Sequence, residues 1–337
     1  MSQDKSAPAN DAGPMIAQGT DEEPLATNQR SLVGRIGLAV TVMAIAYTIF
    51  HIYVMNISPL EPWTYRMVHV TGGLFIGFLT YSALTLNPDA PVVARSRSPL
   101  EWGLIAIAAA GILYGAAMVA YAWAGRWFGF APLPDAFVFS TYGLPLLIGT
   151  IAAVAAAWMF SDRTRERVHP ADWLLGIAAL AMFGYIIFNV GALRLRAGTG
   201  MAQTADFYAA LVGVILILEL TRRVAGLALV IIAGVFIAYS FVGPWLPGFL
   251  THRGYTAERF FTYIFTDQGI LGDPIAVSST YIILFIVFAA FLQASRVGDY
   301  FVNFAFAAAG NMRGGPAKVA VFASGLMGMI NGTSAGN

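Results

Sequence analysis

The sequence contains no cysteine. Disulfides, thiolate metal sites and cysteine nucleophiles are therefore excluded. Charge is also scarce. Asp, Glu, Lys and Arg make up 11% of the residues, against roughly 25% in an average soluble domain. The 19 basic and 18 acidic residues nearly cancel, leaving a net charge of +1 and no electrostatic footprint for nucleic acid. His51, His69, His169 and His252 are the only histidines, scattered without metal-ligand spacing. No glycine-rich phosphate loop precedes Lys-Ser or Lys-Thr, so no ATP motor is encoded. Ser324-Gly325 lacks a Gly-x-Ser-Gly context, and no nucleophile–base pair is recognisable. An enzyme is not expected, nor an organic cofactor.

What the chain has in quantity is apolar length. Apolar residues are 58% of the sequence and the mean hydropathy is +0.69. A soluble fold of 337 residues could not hide that surface, whereas in a bilayer it is the outside of the protein. A span needs about 20 residues at a rise of about 1.5 Å each. Suitable runs occur near 33–56, 67–86, 102–124, 136–160, 172–193, 206–221, 224–247 and 275–295, and a ninth begins near Ala317. The 206–221 run is short and Arg222-Arg223 separates it from the next, as in a tight helical hairpin. The expected fold is all-α: a polytopic membrane protein with about eight or nine transmembrane helices. Two stretches, 254–270 and 298–315, read as interfacial helices or as loop helices packed on protein. Residues 1–31 are polar and proline-containing and read as a disordered tail.

Arginine and lysine placement supports the count. With a cytoplasmic N-terminus, 13 of the 19 fall in inner segments and 6 in outer ones, as the positive-inside rule requires. The chain also repeats itself. Pro99, Glu101, Trp102, Leu104, Tyr114 and Asp135 recur at an offset of 71 as Pro170, Asp172, Trp173, Leu175, Tyr185 and Asp206. The recurrence reads as a duplicated helical hairpin, 99–160 and 170–223, in parallel orientation, the alternative being chance similarity between Ala/Leu-rich spans.

Two polar features interrupt the apolar runs. Glu219 is an intramembrane acid, and such acids are functional candidates by default. Arg222 and Arg223, three and four residues later, lie on the same helical face and favour a structural ion pair. His69 favours a buried, hydrogen-bonded role. The second feature is the end, GGPAKVAVFASGLMGMINGTSAGN, where a helix starting near Pro316 meets a run of small and polar residues. Such a run at membrane depth cannot face lipid as a loop. Two readings stand level: a broken helix whose carbonyl and hydroxyl oxygens cage a Na⁺ ion, or a small-residue helix contact.

The blocks LELTRRVAGLALVIIAGVFIAYSFVGPWLPGFLTHRGYTAERF, GDPIAVSSTYIILFIVFAAFLQASRVGDYF and GGPAKVAVFASGLMGMINGTSAGN strongly resemble fused permeases of tripartite ATP-independent periplasmic (TRAP) transporters, of the type that works with TAXI-type binding proteins. The resemblance covers 170–337 and, loosely, 32–86. It implies a small-subunit-like membrane domain at 32–223 and the start of a large transport domain at 224–337, including the start of a re-entrant hairpin. It further implies an inner-membrane protein in which Na⁺ drives uptake of an organic anion delivered by a periplasmic substrate-binding protein. Against the family motif Gly-Ser-x-Ser-Gly-Ser-Ala-x-Ala-Asn, Gly328, Gly332 and Asn337 match. Asn331 and Thr333 replace serines, and Ser334 and Gly336 replace alanines. The implied ion-binding set is Asn331, Gly332, Thr333, Ser334 and Asn337. The family's second hairpin would lie beyond residue 337, so the expectation is a truncated permease; the alternative is a non-transporting membrane scaffold.

Overall fold

The computed structural model describes residues 28–86, 96–129, 135–161, 164–199 and 201–331. Among these the regular elements are all helices, joined by turns and loops, with one isolated antiparallel bridge between Gln29 and Tyr81. Thirteen α-helices follow in order. They are α1 (Gly34–Asn56), α2 (Pro62–Thr80), α3 (Pro99–Phe128), α4 (Asp135–Phe160), α5 (Pro170–Phe188), α6 (Val190–Arg196), α7 (Thr204–Ala225) and α8 (Leu227–Val242). Then come α9 (Ala257–Ile264), α10 (Asp273–Val277), a π-helical turn (Ser278–Ile282), α11 (Ile283–Ala294), α12 (Val297–Ala309) and α13 (Gly315–Asn331).

Seven helical stretches are long and apolar enough to cross a membrane among the described residues: α1, α3, most of α4, α5, α7, Leu227–Trp245 and the continuous run Asp273–Ala294. The protein is thus an all-α, multi-pass membrane protein. The run expected at 67–86 forms α2 instead, which starts earlier and stops at Thr80, where Tyr81 turns to extended backbone. The short run at 206–221 lies within the 22-residue α7. Glu219, Arg222 and Arg223 depress its hydropathy but continue the helix. Gly226, at φ +84, is the whole connection to α8. Phe261 touches Phe207 at the start of α7 and Phe241 near the end of α8, so the two helices run back on each other.

Local sequence sets the helix starts. Ser98 and His169 cap α3 and α5 by accepting from Glu101 N at 3.2 Å and Ala171 N at 3.2 Å, and each is followed by a proline in the first turn. Proline is tolerated there because its missing N–H would be unpaired anyway. The two helices therefore begin in the same way, with an acid, Glu101 or Asp172, two positions after the proline. Within the first copy, α3 and α4 approach closely through glycine. A Cβ on Gly111 would stand 2.2 Å from the Pro145 carbonyl oxygen, and one on Gly149 would stand 2.9 Å from the Ala108 carbonyl oxygen. Gly111 and Gly115 form the Gly-x-x-x-Gly spacing that lets membrane helices touch backbone to backbone.

The chain divides into two compact units. In the one from Ala26 to Ala290, helices α2 to α7 share a core around Phe78, Ile112, Tyr142, Leu146, Leu175, Met182, Tyr185 and Leu216. Outward faces are apolar as well. Leu38, Val42, Ile45 and Ile49 on α1, Val235 and Phe236 on α8, and Phe285 and Phe288 on α11 are all exposed, as lipid contact demands. The 254–270 stretch is not a free amphipathic segment. Helix α9 buries Phe261 and Thr262, and Phe265 after it is buried too, closing one end of the bundle. In the second unit, from Phe291 on, α12 and α13 pack around Ala305, Val319 and Ala323. The 298–315 stretch is thus a helix packed on its neighbour.

Candidate functional site

Of the ion-binding residues expected from the sequence, Asn331 is the last residue of α13. Gly332, Thr333, Ser334 and Asn337 lie outside the described residues, as does the tail up to residue 27. Helix α13 does begin at Gly315, with Pro316 in its first turn, and continues to the edge of that polar run.

Within the first unit the structure assembles a buried ionic lattice at one end of the bundle, the end where α1, α3, α5 and α8 begin. Asp172, in the first turn of α5, accepts from Arg30 Nη2 at 2.5 Å and from Arg223 Nη1 at 2.8 Å. Arg223 Nε also donates to Glu219 Oε1 at 2.7 Å. Glu219 receives three more bonds: from Arg222 Nε at 2.9 Å, Arg222 Nη2 at 3.0 Å and Trp158 Nε1 at 2.8 Å. The side chains of Arg30, Asp172 and Arg223 have no solvent exposure. Arg30 Nη1 reaches the carbonyls of Phe78 and Leu79, both at 2.9 Å, and Arg223 Nη1 reaches that of Tyr81 at 2.9 Å. These carbonyls belong to the last turn of α2 and the residue after it, where no next helical turn exists to use them.

Chemically, this lattice is a fastener. It joins the segment Asn28–Arg30, the end of α2, the end of α4, the start of α5 and the end of α7. Residues 28–31, read from composition as the end of a free tail, are tied down by it. The Asn28 amide adds a bond to the Arg223 carbonyl at 2.6 Å, and Ser31 N donates to the Arg165 carbonyl at 3.0 Å. Glu219, with four donors around it, has no open face for a travelling cation, and its pairing with Arg222 and Arg223 is as the helical spacing anticipates. Among the described residues the cluster holds three arginines and two carboxylates.

The repeat explains what the sequence alone did not connect. Glu101, which corresponds to Asp172, is 1% exposed and lies 3.1 Å from His169 Nε2 and 3.3 Å from Arg97 Nε. Both equivalent acids are thus buried beside cationic or hydrogen-bonding partners at the same end. Asp206 anchors the opposite end. It accepts from Arg196 Nε and Nη2 at 2.6 and 2.8 Å, Tyr185 Oη at 2.5 Å and Gln203 N at 2.9 Å, while Tyr142 stacks on Tyr185 with centroids 4.8 Å apart. Near that end a cavity of about 460 Å³ lies between Gly198, Tyr255, Arg259, Phe260, Tyr263 and Gln268. Gly198 in its lining sits at φ +72, and a Cβ there would stand 2.6 Å from the Tyr263 ring.

The histidines are less scattered than their sequence positions. His51 and His69 meet across α1 and α2, with Nε2 and Nδ1 3.0 Å apart, so His69 is hydrogen-bonded as expected. Among the described residues no cluster of three or more His, Cys, Asp or Glu suited to a metal occurs.

Comparison with known proteins adds a family match over part of the chain. Residues 211–337 match the model for the tripartite ATP-independent periplasmic transporter, DctM component. The match begins inside α7 and takes in every helix after it. No curated protein and no solved structure matches the chain. The chain is thus a multi-pass helical membrane protein whose C-terminal region, residues 211–337, is similar to the DctM component of tripartite ATP-independent periplasmic transporters.

Proposed function

We propose that the chain is the permease of a Na⁺-coupled transporter that takes up an organic anion delivered by a periplasmic binding protein. In this reading the protein lies in the inner membrane with its N-terminus in the cytoplasm. Residues 32–223 are the small-subunit-like part, 224–337 begin the transport domain, and the two parts are fused as in the TAXI-associated type. Asn331, Gly332, Thr333, Ser334 and Asn337 bind Na⁺ as the coupling ion.

The observation that carries the reading is the placement of α13. A 17-residue helix inside the transporter-matched region leads directly into Gly332-Thr333-Ser334, a run rich in oxygen donors and free of charge. Neutral oxygen ligands suit a monovalent cation, and a break in a helix supplies the carbonyls. The orientation is supported by the ends of the bundle. The buried lattice holds Arg30, Arg222 and Arg223 at the end where the positive-inside rule puts the cytoplasm.

The test is uptake into proteoliposomes by the complete transporter with its binding protein, measured against Na⁺ concentration. Thr333→Val removes one oxygen at constant shape and should weaken Na⁺ dependence by up to about tenfold, the scale of one hydrogen bond. Gly332→Leu should be worse. Wild-type Na⁺ dependence in both variants would assign the motif to helix packing instead.

A further inference from the structure

Where α1 and α2 meet the π-helical turn, four side chains form a hydrogen-bond chain whose protons can be placed one by one. His51 Nδ1 lies 2.7 Å from the Tyr47 carbonyl. A carbonyl only accepts, so this nitrogen carries a proton. With the ring neutral, His51 Nε2 bears a lone pair, and the proton between the rings sits on His69 Nδ1, 3.0 Å away. His69 Nε2 then also bears a lone pair, and it faces Ser278 Oγ at 3.2 Å, which donates. The Tyr47 hydroxyl donates to the His69 carbonyl at 2.8 Å, and its oxygen stands 2.9 Å from His69 Nδ1, placed to accept. Gly72 allows this arrangement, because a Cβ there would come 2.4 Å from the Tyr47 ring.

Only one atom of this chain can take another proton without setting two donors face to face. His51 Nδ1 and His69 Nδ1 already carry protons. A proton added to His51 Nε2 alone would point at His69 Nδ1–H. His69 Nε2 faces a hydroxyl, which can turn from donor to acceptor. Once His69 Nε2 is protonated, the proton between the rings can rest on either nitrogen, so both imidazoles share the charge.

We infer that His51 and His69 form a binding site for one proton, that this proton enters at His69 Nε2, and that Ser278 in the transporter-matched region reverses its hydrogen bond when the proton arrives. Ser278 opens the π-helical turn, where Ile283 N–H bonds back to the Ser278 carbonyl. The turn is held on its other side by the Tyr65 hydroxyl, which donates to the Ser279 carbonyl. Single π-turns recur where a helix has a functional task. The titratable groups facing the pair are Tyr47 on α1 and Tyr65 on α2, with the Ser278 hydroxyl from the π-turn. Arg66 on α2 is engaged by the Leu271 carbonyl at 2.6 Å, and Asp273 at the start of α10 is exposed. Among the described residues no carboxylate lies within ion-pair distance of either ring. Proton occupancy is therefore governed by the chain itself, and the inference does not depend on the Na⁺ reading.

Histidine ¹⁵N NMR of the whole chain in lipid nanodiscs, recorded against pH, tests it. In alkali both His51 and His69 should show a protonated Nδ1 and a bare Nε2, the tautomer less favoured by free histidine. On acidification His69 Nε2 should gain a proton while both residues change with one shared midpoint. An Nε2–H tautomer of either residue in alkali, two separate midpoints, or no transition before unfolding would overturn the inference. Ser278→Ala removes the acceptor of the new bond and should lower the midpoint by about one pH unit, a tenfold loss of proton affinity. Ser278→Thr should restore it. An unchanged midpoint in Ser278→Ala, with His169 and His252 signals intact, would equally overturn it.

Discussion

Arg223 Nη1 donates to Asp172 Oδ1 at 2.8 Å, joining the last turn of α7 to the first turn of α5 with neither side chain exposed. The two residues are 51 positions apart, and Asp172 shares its other oxygen with Arg30, a further 142 positions away. One carboxylate therefore closes two long loops of chain at one end of the bundle.

Removing that carboxylate leaves two buried guanidinium groups beside each other. Breaking one partner of a buried ion pair costs about 3–5 kcal/mol. Asp172→Ala should lower the thermal midpoint in detergent strongly, and Asp172→Ala with Arg223→Met should recover part of the loss because the stranded charge goes too. Additive losses in the double variant would show that the two side chains act separately.

Glu219 makes its bonds within its own helix and to Trp158, so its loss should be milder. Glu219→Gln keeps an acceptor for Arg222 and Arg223 and should cost about 1–3 kcal/mol in stability. Uptake per folded molecule of the complete transporter should stay at the wild-type level. Loss of coupled uptake with normal protein amounts would instead make Glu219 an ion-pathway acid.

The topology can be mapped cleanly because no native cysteine interferes. Glu166 and Tyr255 are exposed and lie at opposite ends of the bundle. In intact cells stripped of their outer membrane, an impermeant thiol reagent should modify Tyr255→Cys and spare Glu166→Cys. The reverse pattern would invert the proposed orientation.

Glycine at the α3–α4 contact gives a packing prediction. Gly111→Leu drives a side chain into the Pro145 carbonyl, whereas Gly103→Leu on the same helix meets nothing within 4 Å. Overpacking typically costs about 1–3 kcal/mol. The first variant should unfold at lower temperature, and the second should unfold with the wild type. Equal stability of the two would deny the backbone contact.

How much was legible in sequence differs by feature. The Glu219–Arg222–Arg223 group was readable because helical spacing alone brings it together. The pairing of Asp172 with Arg30 and Arg223 was not, although the recurrence of Glu101 as Asp172 marked the position. His51 and His69 looked unrelated because 18 residues and a helix reversal separate them. The 254–270 stretch looked interfacial, since its aromatics could face lipid as easily as protein. Only contact with Phe207 and Phe241 assigns Phe261 and Phe260 to the bundle.

By itself the sequence determined that the chain is helical and crosses a membrane several times, because the bilayer demands long apolar runs with every backbone group bonded inside its own helix. It also carried the repeat, the arginine bias and the resemblance that the DctM match supports from residue 211 onward. Tertiary structure alone decided which charges meet. An ion pair depends on distance and desolvation in three dimensions, so Arg30, Asp172 and Arg223 become one buried lattice only when α2, α5 and α7 lie side by side.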